Sequence, residues 1–274
     1  MVLDGVNQGN KTQGFSFRDG NHHMTLKNVE IKNHEGTAVG IGSGGSYIQI
    51  INCKLHNNVT LVDAPTNRHY GIYLRSGNNI LIEGNSIYKN DGGGITVYYG
   101  PTSKVIIRNN KVYENNKLSS SQVPGIQIMP GGGNTINDVQ IYNNLVYLNG
   151  INQSTNSSAG GIQVWGASDV KVWHNTIYGN HGSGLLFSKT VNTVVQNNIS
   201  YGNRSSNYST ASNVNLVSDH NIFINPLFKN VTARDFRLNS SSPARNSGRV
   251  ISSVPKDITG KLRGSIYDVG AYEY

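Results

Sequence analysis

The chain has 274 residues, of which 32 are glycine and 14% are charged, and alanine, leucine and glutamate, the favoured helix formers, are scarce. This composition excludes a largely helical protein and lets an elongated all-β architecture hold the whole length as one domain. The formal net charge of +8 favours an anionic partner, but the basic residues are scattered and form no nucleic-acid-binding module, so nucleic acid is not expected.

A repeated segment runs along the chain from residue 24 to residue 200. Aligning "MTLKNVEI", "IQIINCKL", "ILIEGNSI", "VIIRNNKV", "VQIYNNLV", "VKVWHNTI" and "TVVQNNIS" places seven aliphatic residues in one column: Leu26, Ile50, Ile82, Ile107, Ile141, Val172 and Val195. Six more stand five positions later, before Ser200 breaks the series: Ile31, Leu55, Ile87, Val112, Val146 and Ile177. Steps of 23 to 34 residues predict a solenoid, in which each coil buries its apolar face against its neighbours.

Asparagine occupies the bend between the two strands of each repeat. One column holds Asn28, Asn52, Asn109, Asn143 and Asn197, and the next holds Asn85, Asn110, Asn144, Asn175 and Asn198. Asparagine tolerates the left-handed backbone conformation of sharp bends, and stacked amides can hydrogen-bond from one coil to the next. His174 falls in the first of these columns and is expected to replace an asparagine there.

A third strand follows each bend, in most coils directly after a glycine. Its aligned residues are Ile72, Ile95, Ile126, Ile162, Leu185 and Val214. Three short strands per coil, alternation with period two and asparagine-lined turns predict an all-β, single-domain right-handed parallel β-helix with about 8–10 coils. We expect this domain to span residues 1–274, with 226–274 as an irregular C-terminal coil and cap segment.

Three coils carry insertions at the same junction, just before the third strand: "VTLVDAPTNR", "NKLSSSQVP" and "GINQSTNSSA". Insertions at one corner of a solenoid project from one side, so these should form the wall of a groove. Strand alternation turns two rows of side chains outward into this groove. The first row is Tyr73, Thr96, Gln127 and Gln163, and the second is Arg75, Tyr98, Met129 and Trp165.

These two rows are the predicted substrate-binding residues. Aromatic faces stack on sugar rings, glutamines hydrogen-bond to hydroxyl groups, and an arginine fork pairs with a carboxylate. Together with the basic charge, the rows predict a groove for an acidic polysaccharide. The alternative interpretation is that such rows only pack neighbouring rungs of a sheet against each other.

The combination of "GIYL", "GNSIYKN", "NNKVY" and "HNTIYGN" resembles the right-handed parallel β-helix superfamily of pectate and alginate lyases, chondroitinase-B-like enzymes and mannuronan C5-epimerases. The ending "DFRLNSSSPARNSG" with "YDVGAYEY" looks like a tail of bacterial extracytoplasmic members. In the epimerases, tyrosine, glycine and isoleucine or phenylalanine precede aspartate, proline and histidine on the corresponding sheet. Tyr70, Gly71 and Ile72 match the first half of that stretch, whereas Tyr73 and Arg75 stand where that family has aspartate and histidine.

The resemblance implies a reaction that begins with removal of the C5 proton of a uronate, after a cation or proton donor neutralises the adjacent carboxylate. Arg75 suits neutralisation, and His69 or Tyr70 could exchange the proton. Lys117, on an insertion, could supply a second positive charge or the base. His181 and Lys189 are secondary candidates. The alternative is that His69 and Tyr70 only close the end of the groove and that Lys117 is a solvated loop residue.

No cofactor is predicted. The calcium-dependent lyases cluster acidic residues around the ion, whereas the 15 acidic residues here are dispersed. Asp63, Asp91 and Glu114 could approach the groove from loops, but no spacing supports a calcium site. The paired-aspartate motifs of polygalacturonases are also absent, which disfavours a two-carboxylate hydrolase.

Three functions therefore stay open: a lyase or epimerase acting on an acidic polysaccharide, a non-catalytic polysaccharide-binding or adhesive solenoid, and a glycoside hydrolase. The lone Cys53 excludes an intrachain disulfide, and no apolar run is long enough to span a membrane. We expect a monomer that is secreted or extracytoplasmic, with its signal peptide not present in this chain.

Overall fold

The chain winds into successive coils, and each coil contributes one short strand to each of three sheets. The computed structural model describes residues 1–6, 13–59, 69–116, 123–150 and 159–274. These residues form strands and turns without any helix, so none of them belongs to a helix that could span a bilayer.

In the described parts of the chain, three parallel sheets of eight strands each make up the solenoid. Sheet A contains β1 (Val2–Asp4), β4 (Glu30–Lys32), β7 (Lys54–His56), β10 (Ser86–Tyr88), β13 (Lys111–Tyr113), β16 (Leu145–Tyr147), β19 (Thr176–Tyr178) and β22 (Ile199–Tyr201). Sheet B contains β2 (Phe15–Phe17), β5 (Val39–Ile41), β8 (Ile72–Leu74), β11 (Ile95–Tyr99), β14 (Ile126–Pro130), β17 (Ile162–Trp165), β20 (Leu185–Ser188) and β23 (Tyr208–Ala211). Sheet C contains β3 (His22–Lys27), β6 (Gly45–Ile51), β9 (Gly77–Glu83), β12 (Thr102–Arg108), β15 (Ile136–Tyr142), β18 (Ser168–Trp173), β21 (Val191–Gln196) and β24 (Val214–Asp219).

The strands repeat in this order through eight coils, which confirms the predicted right-handed parallel β-helix. The register also confirms the two aligned columns. Leu26 begins an unbroken series of paired residues through Val195 in sheet C, and Ile31 begins one that reaches Ser200 in sheet A. Because strands alternate, these residues point inward and fill the core.

The third predicted column is correct from Ile72 to Leu185 and wrong at its last member. Leu185 pairs with Tyr208, whereas Val214 lies in sheet C, pairs with Val191 and is 55% exposed. The reason is that the last coil fills this inward position with an aromatic ring, since Tyr208 stacks on Phe223 with ring centroids 5.1 Å apart. An aliphatic pattern therefore does not identify β23, whose inward residue is Tyr208.

The glycine before the third strand is required by a close approach between coils. A Cβ atom on Gly94 would meet the Val112 side chain and would lie 2.7 Å from the carbonyl oxygen of Gly125. Gly71 and Gly161 are crowded in the same way by isoleucine side chains and by the backbone of the next coil. The column is therefore restricted to glycine by space within the stack.

Replacing Gly94 by alanine is expected to lower the free energy of unfolding by about 2 kcal/mol, because the backbone of the next coil must shift to admit the methyl group. Gly264→Ala is the matched control, since a Cβ there would have its nearest neighbours 3.6 Å away. Urea denaturation of both variants measures the difference. Equal stabilities would show that the stack accommodates the Cβ without strain.

The asparagine bends adopt the predicted left-handed conformation. The first column, Asn28, Asn52, Asn109, Asn143 and Asn197, has φ between 52° and 58°, and His174 shares it with φ 51°. In the second column each Nδ2 donates to the Oδ1 of the next coil at 2.9–3.0 Å, in the order Asn85, Asn110, Asn144, Asn175, Asn198 and Asn221. The free thiol Cys53 lies buried at the start of this ladder.

A second asparagine ladder, which the sequence alignment did not identify, lies at the corner between sheets A and B. Its Nδ2 to Oδ1 distances are 2.8–3.2 Å, in the order Asn58, Asn90, Asn115, Asn149, Asn180 and Asn203. The signal was the asparagine that ends "YKN", "YEN", "YLN" and "YGN". Two internal amide ladders thus hold two of the three corners of the solenoid in register.

The C-terminal segment packs along the corner between sheets C and A. Its strands β25 (Phe228–Asn230) and β26 (Asp235–Leu238) are antiparallel, and Phe236 packs against Tyr147 of sheet A. The Arg263 side chain is fully buried, where it pairs with Glu273 at 3.2 Å and donates to the Asn143 Oδ1 at 3.0 Å. The division into one domain with residues 226–274 as a cap stays a prediction.

His174 is buried beneath this segment. Burial, reinforced by the nearby Arg263 guanidinium, holds the pKa of His174 well below its ordinary value. Because the folded state keeps the imidazole neutral, His174 contributes stability at pH values above its unfolded pKa of about 6.5, and this contribution is lost as the pH falls below that value.

We therefore expect the free energy of unfolding to fall with a slope of up to about 1.4 kcal/mol per pH unit below pH 6.5 from this residue alone. His174→Asn should remove that part of the slope, because the asparagine side chain does not titrate. Asparagine also suits the left-handed conformation of this position, so the turn should be kept. Denaturation of both proteins between pH 6.5 and 5.5 tests it. Parallel stability profiles for the two proteins would contradict a neutral buried His174.

Candidate functional site

The outer face of sheet B carries the two predicted rows of side chains. Tyr73 pairs with Thr96, Thr96 with Gln127, and Gln127 with Gln163, while Tyr98 pairs with Met129 in the second row. Their neighbours Ile72, Leu74, Ile95 and Val97 are buried in the core. The structure therefore brings the residues of the first row together and, in the second row, places Tyr98 beside Met129. The role of both rows in binding a substrate stays a prediction.

Arg75 is exposed just after β8 and leans towards the next coil. Its guanidinium carbon lies 5.5 Å from the centroid of the Tyr99 ring, within the range of a cation–π contact. Tyr98 lies beside Tyr99, with ring centroids 6.2 Å apart. The Arg75 cation thus lies over the Tyr99 ring, and its side chain is exposed to solvent.

Tyr99 contacts Arg75 on this face, although the alternation pattern would turn its side chain inward. Its φ of 93° rotates the side chain out to 42% exposure. A Cβ on Gly131 would lie 2.9 Å from the Tyr99 ring, so the glycine of the next coil leaves room for the ring. The sequence signal is "YYGP" one coil before "MPGGG".

A second cation lies over an aromatic ring at the other end of the rows. The Nζ of Lys189 is 5.4 Å from the centroid of the Trp165 ring. Lys189 follows Ser188, which pairs with Trp165, and both Lys189 and Trp165 are exposed. Among the ion pairs of the described residues, none involves Arg75 or Lys189, so neither positive charge is neutralised there.

The floor between the two cations is polar and desolvated. Thr96, Gln127 and Gln163 are at most 9% exposed although they point outward. Among the described residues, the Thr96 hydroxyl and the Gln163 Oε1 have no hydrogen-bond partner. A buried polar atom without a partner lowers stability by about 1–3 kcal/mol, so both atoms are unsatisfied in the described structure.

Tyr73 and Tyr70 stand beside Arg75, whereas His69 belongs to the A–B corner. The rings of Tyr70 and Tyr73 stack with centroids 5.1 Å apart. Burial raises the pKa of the Tyr73 phenol, and the Arg75 charge opposes that rise. Burial lowers the pKa of His69, and its charged neighbours are Asp91 and Glu35.

The remaining predicted site residues are not brought into this groove by the described structure. Lys117 and the insertions expected to wall the groove at 60–68, 117–122 and 151–158 lie outside the described residues. Glu114 pairs with Arg234 of the C-terminal segment. No group of three or more His, Cys, Asp or Glu side chains in the described ranges could hold a metal ion, and the expectation of no cofactor stays a prediction.

A shallow cavity of about 340 Å³ lies on the outer face of sheet C. Its floor includes Leu81 and Ile106, and its rim includes both Lys104 and Asp138. Arg108 at its edge is paired with Glu83 at 2.9 Å. Because these charges are mixed or already paired, the sheet C cavity suits an acidic chain less well than the sheet B face.

Solved structures with this architecture share little sequence with the chain. Pectate lyase Pel9A is 19% identical, with a TM-score of 0.63 over 94% of this chain and 68% of that one. The A-module of the Azotobacter vinelandii mannuronan C-5 epimerase AlgE4 is 18% identical, with a TM-score of 0.50 over 82% and 72%. A double mutant of the periplasmic alginate epimerase AlgG is 12% identical, with a TM-score of 0.51 over 77% and 62%.

At these identities the likeness shows the fold alone. No curated protein matches the sequence. Residues 7–159 and 113–233 match the family described as the right-handed β-helix region, and these two stretches together cover more than half of the 274 residues. The chain therefore belongs to the right-handed β-helix family.

Proposed function

We propose that the protein acts on an acidic, uronate-containing polysaccharide bound along the outer face of sheet B. The chemistry proposed is abstraction of the C5 proton followed by β-elimination or epimerisation. The observation that carries the proposal is the unpaired Arg75 over Tyr99, beside the half-buried phenol of Tyr73. The similar structures support this kind of reaction, since they are a pectate lyase and two epimerases of alginate or mannuronan.

In this mechanism Arg75 pairs with the substrate carboxylate and stabilises the negative charge that develops when the C5–H bond breaks. For elimination, the electron pair of that bond forms the C4–C5 double bond while the C4–O4 bond breaks. Tyr73 stands two residues before Arg75, and burial raises the pKa of its phenol, so it stays protonated at neutral pH and can donate a proton to the leaving O4. His69, Tyr70 and Lys117 are the candidates for the base.

In the epimerisation version, the carbanion is reprotonated on the opposite face of C5 and the glycosidic bond stays intact. Tyr73 is again the proton donor. The proposal requires no cofactor, and it describes a monomer that works outside the cytoplasm. A similar structure is that of a periplasmic epimerase, which supports this location.

A polysaccharide panel tests the proposal. The protein is incubated with alginate, pectate and a glucuronan, and the ultraviolet absorbance of unsaturated uronate and the NMR composition of the sugars are followed. Elimination predicts rising absorbance, and epimerisation predicts a changed uronate composition. New reducing ends without unsaturation would instead show a glycoside hydrolase.

The second candidate function is a non-catalytic polysaccharide-binding solenoid. It is favoured by the finding that the described residues hold no cluster of acidic or histidine side chains around the groove that could bind a metal. This function predicts saturable binding of one of the three polymers with no chemical change. Absence of both binding and reaction across the panel would contradict both functions.

A further inference from the structure

The outer face of sheet B contains the same set of three groups twice. In the first set, the Arg75 guanidinium lies over Tyr99, and the unpartnered Thr96 hydroxyl belongs to the same strand, β11. In the second set, Lys189 lies over Trp165, and the unpartnered Gln163 Oε1 belongs to the same strand, β17. Each set therefore joins a cation, an aromatic ring and a desolvated polar atom.

The two cations lean towards each other along the axis of the solenoid. Arg75 reaches from β8 onto a ring of β11, and Lys189 reaches from β20 back onto a ring of β17. Strands β11 and β17 are separated only by β14, so the two rings are about 10 Å apart along the axis. Met129 and the buried Gln127 of β14 lie between them.

The backbone of Lys189 has a defined left-handed conformation at the end of β20. Its φ is 54°, and its N–H donates to the carbonyl oxygen of Ala211 at 2.9 Å. The side chain of Lys189 lies over Trp165. No ion pair among the described residues involves Lys189. The ammonium group is therefore available to an external anion.

We propose that Lys189, Trp165 and Gln163 form a second carboxylate subsite, so that the ligand of this groove is a chain bearing carboxylates about 10 Å apart. This inference rests on the proposed function. It adds that the groove has two carboxylate subsites, so a single acidic sugar cannot occupy both. Lys189 binds the second carboxylate, the Trp165 ring packs on that sugar, and the Gln163 Oε1 accepts a hydrogen bond from one of its hydroxyl groups.

The test compares binding of a disaccharide, a tetrasaccharide and a hexasaccharide of galacturonate and of mannuronate by calorimetry. Lys189→Ala should weaken hexasaccharide binding about fivefold, as expected for an exposed cation on an aromatic ring, and should change disaccharide binding less. Lys171→Ala is the matched control. Its Nζ lies 5.5 Å from the Trp173 ring on sheet C, and it should leave all the affinities unchanged.

Gln163→Leu separates a ligand-binding role from a structural one. Because the Gln163 Oε1 has no partner among the described residues, leucine should leave the fold as stable or more stable while it weakens hexasaccharide binding. A loss of stability with unchanged affinity would overturn the second subsite, as would equal hexasaccharide affinities of the wild type and Lys189→Ala. If no oligouronate binds the wild type, the proposed function fails as well.

Discussion

Arg75→Ala is expected to lower the rate of product formation from a uronan by about 10²–10³-fold, because it removes the group that stabilises the charge developing next to C5. The effect should appear mainly in kcat, since that charge is greatest in the transition state. Initial rates of unsaturated uronate formation, or of C5 inversion by NMR, measure it on the polymer that is active in the panel.

Arg75→Lys should recover part of the rate, because it restores the charge without the bidentate fork. Arg249→Ala is the control for a simple change in net charge, since Arg249 belongs to the C-terminal segment and its side chain is 60% exposed. If Arg75→Ala and Arg249→Ala have equal rates, Arg75 is not the group that neutralises the substrate carboxylate.

Asn144→Ala is expected to lower the free energy of unfolding by about 4 kcal/mol, a large fraction of the stability of an ordinary domain. Asn144 is fully buried. Its Nδ2 donates to the Asn175 Oδ1 at 2.9 Å and to the carbonyl oxygens of Ile107 and Tyr142 at 2.9 and 3.0 Å. Its Oδ1 accepts from the Nδ2 and the backbone N–H of Asn110, both at 3.0 Å.

Alanine would leave several of these partners buried and unpaired, and the ladder would be interrupted at its middle. Asn137→Ala is the matched control from the same coil, since Asn137 is exposed on β15, and it should change stability by less than about 0.5 kcal/mol. Chemical denaturation monitored by circular dichroism measures both variants. A similar small change in both would show that the ladder contributes little to stability.

The scaffold was predictable because each of its elements has a local cause that repeats along the chain. The column from Leu26 to Val195 follows from period-two alternation, and the left-handed turns at Asn28 and its equivalents follow from the conformational tolerance of asparagine. The third-strand column, which begins at Ile72, was wrong at Val214 because Tyr208 fills that inward position with an aromatic ring. The second ladder, which begins at Asn58, was missed because its asparagines stand three positions beyond the last residue of the aligned segments.

The sequence could predict where the candidate site lies, but not the orientation of all the side chains in it. Register follows from the repeat, so Tyr73, Thr96 and Gln127 could be placed side by side from sequence. The outward turn of Tyr99 depends on one left-handed backbone angle and on space above Gly131, and alternation carries no information about either. The lean of Lys189 onto Trp165 likewise depends on local backbone geometry and on a neighbour from another coil.

Arg75 and His69 are close in sequence, but the structure places their side chains in different surroundings. Arg75 leaves β8 on the groove side and lies over Tyr99, whereas His69 precedes the strand and lies at the corner with Asp91 and Glu35. Adjacent positions on a bent chain can thus face different surroundings, which no spacing rule for a straight strand reproduces.

The most direct test of the whole account is a crystal structure of the protein with a hexasaccharide of the uronate that it binds best. We expect a sugar chain on the outer face of sheet B, with one carboxylate at Arg75, another at Lys189 and a sugar ring against Trp165. A chain bound in the sheet C cavity beside Lys104 and Asp138, with sheet B empty, would contradict it.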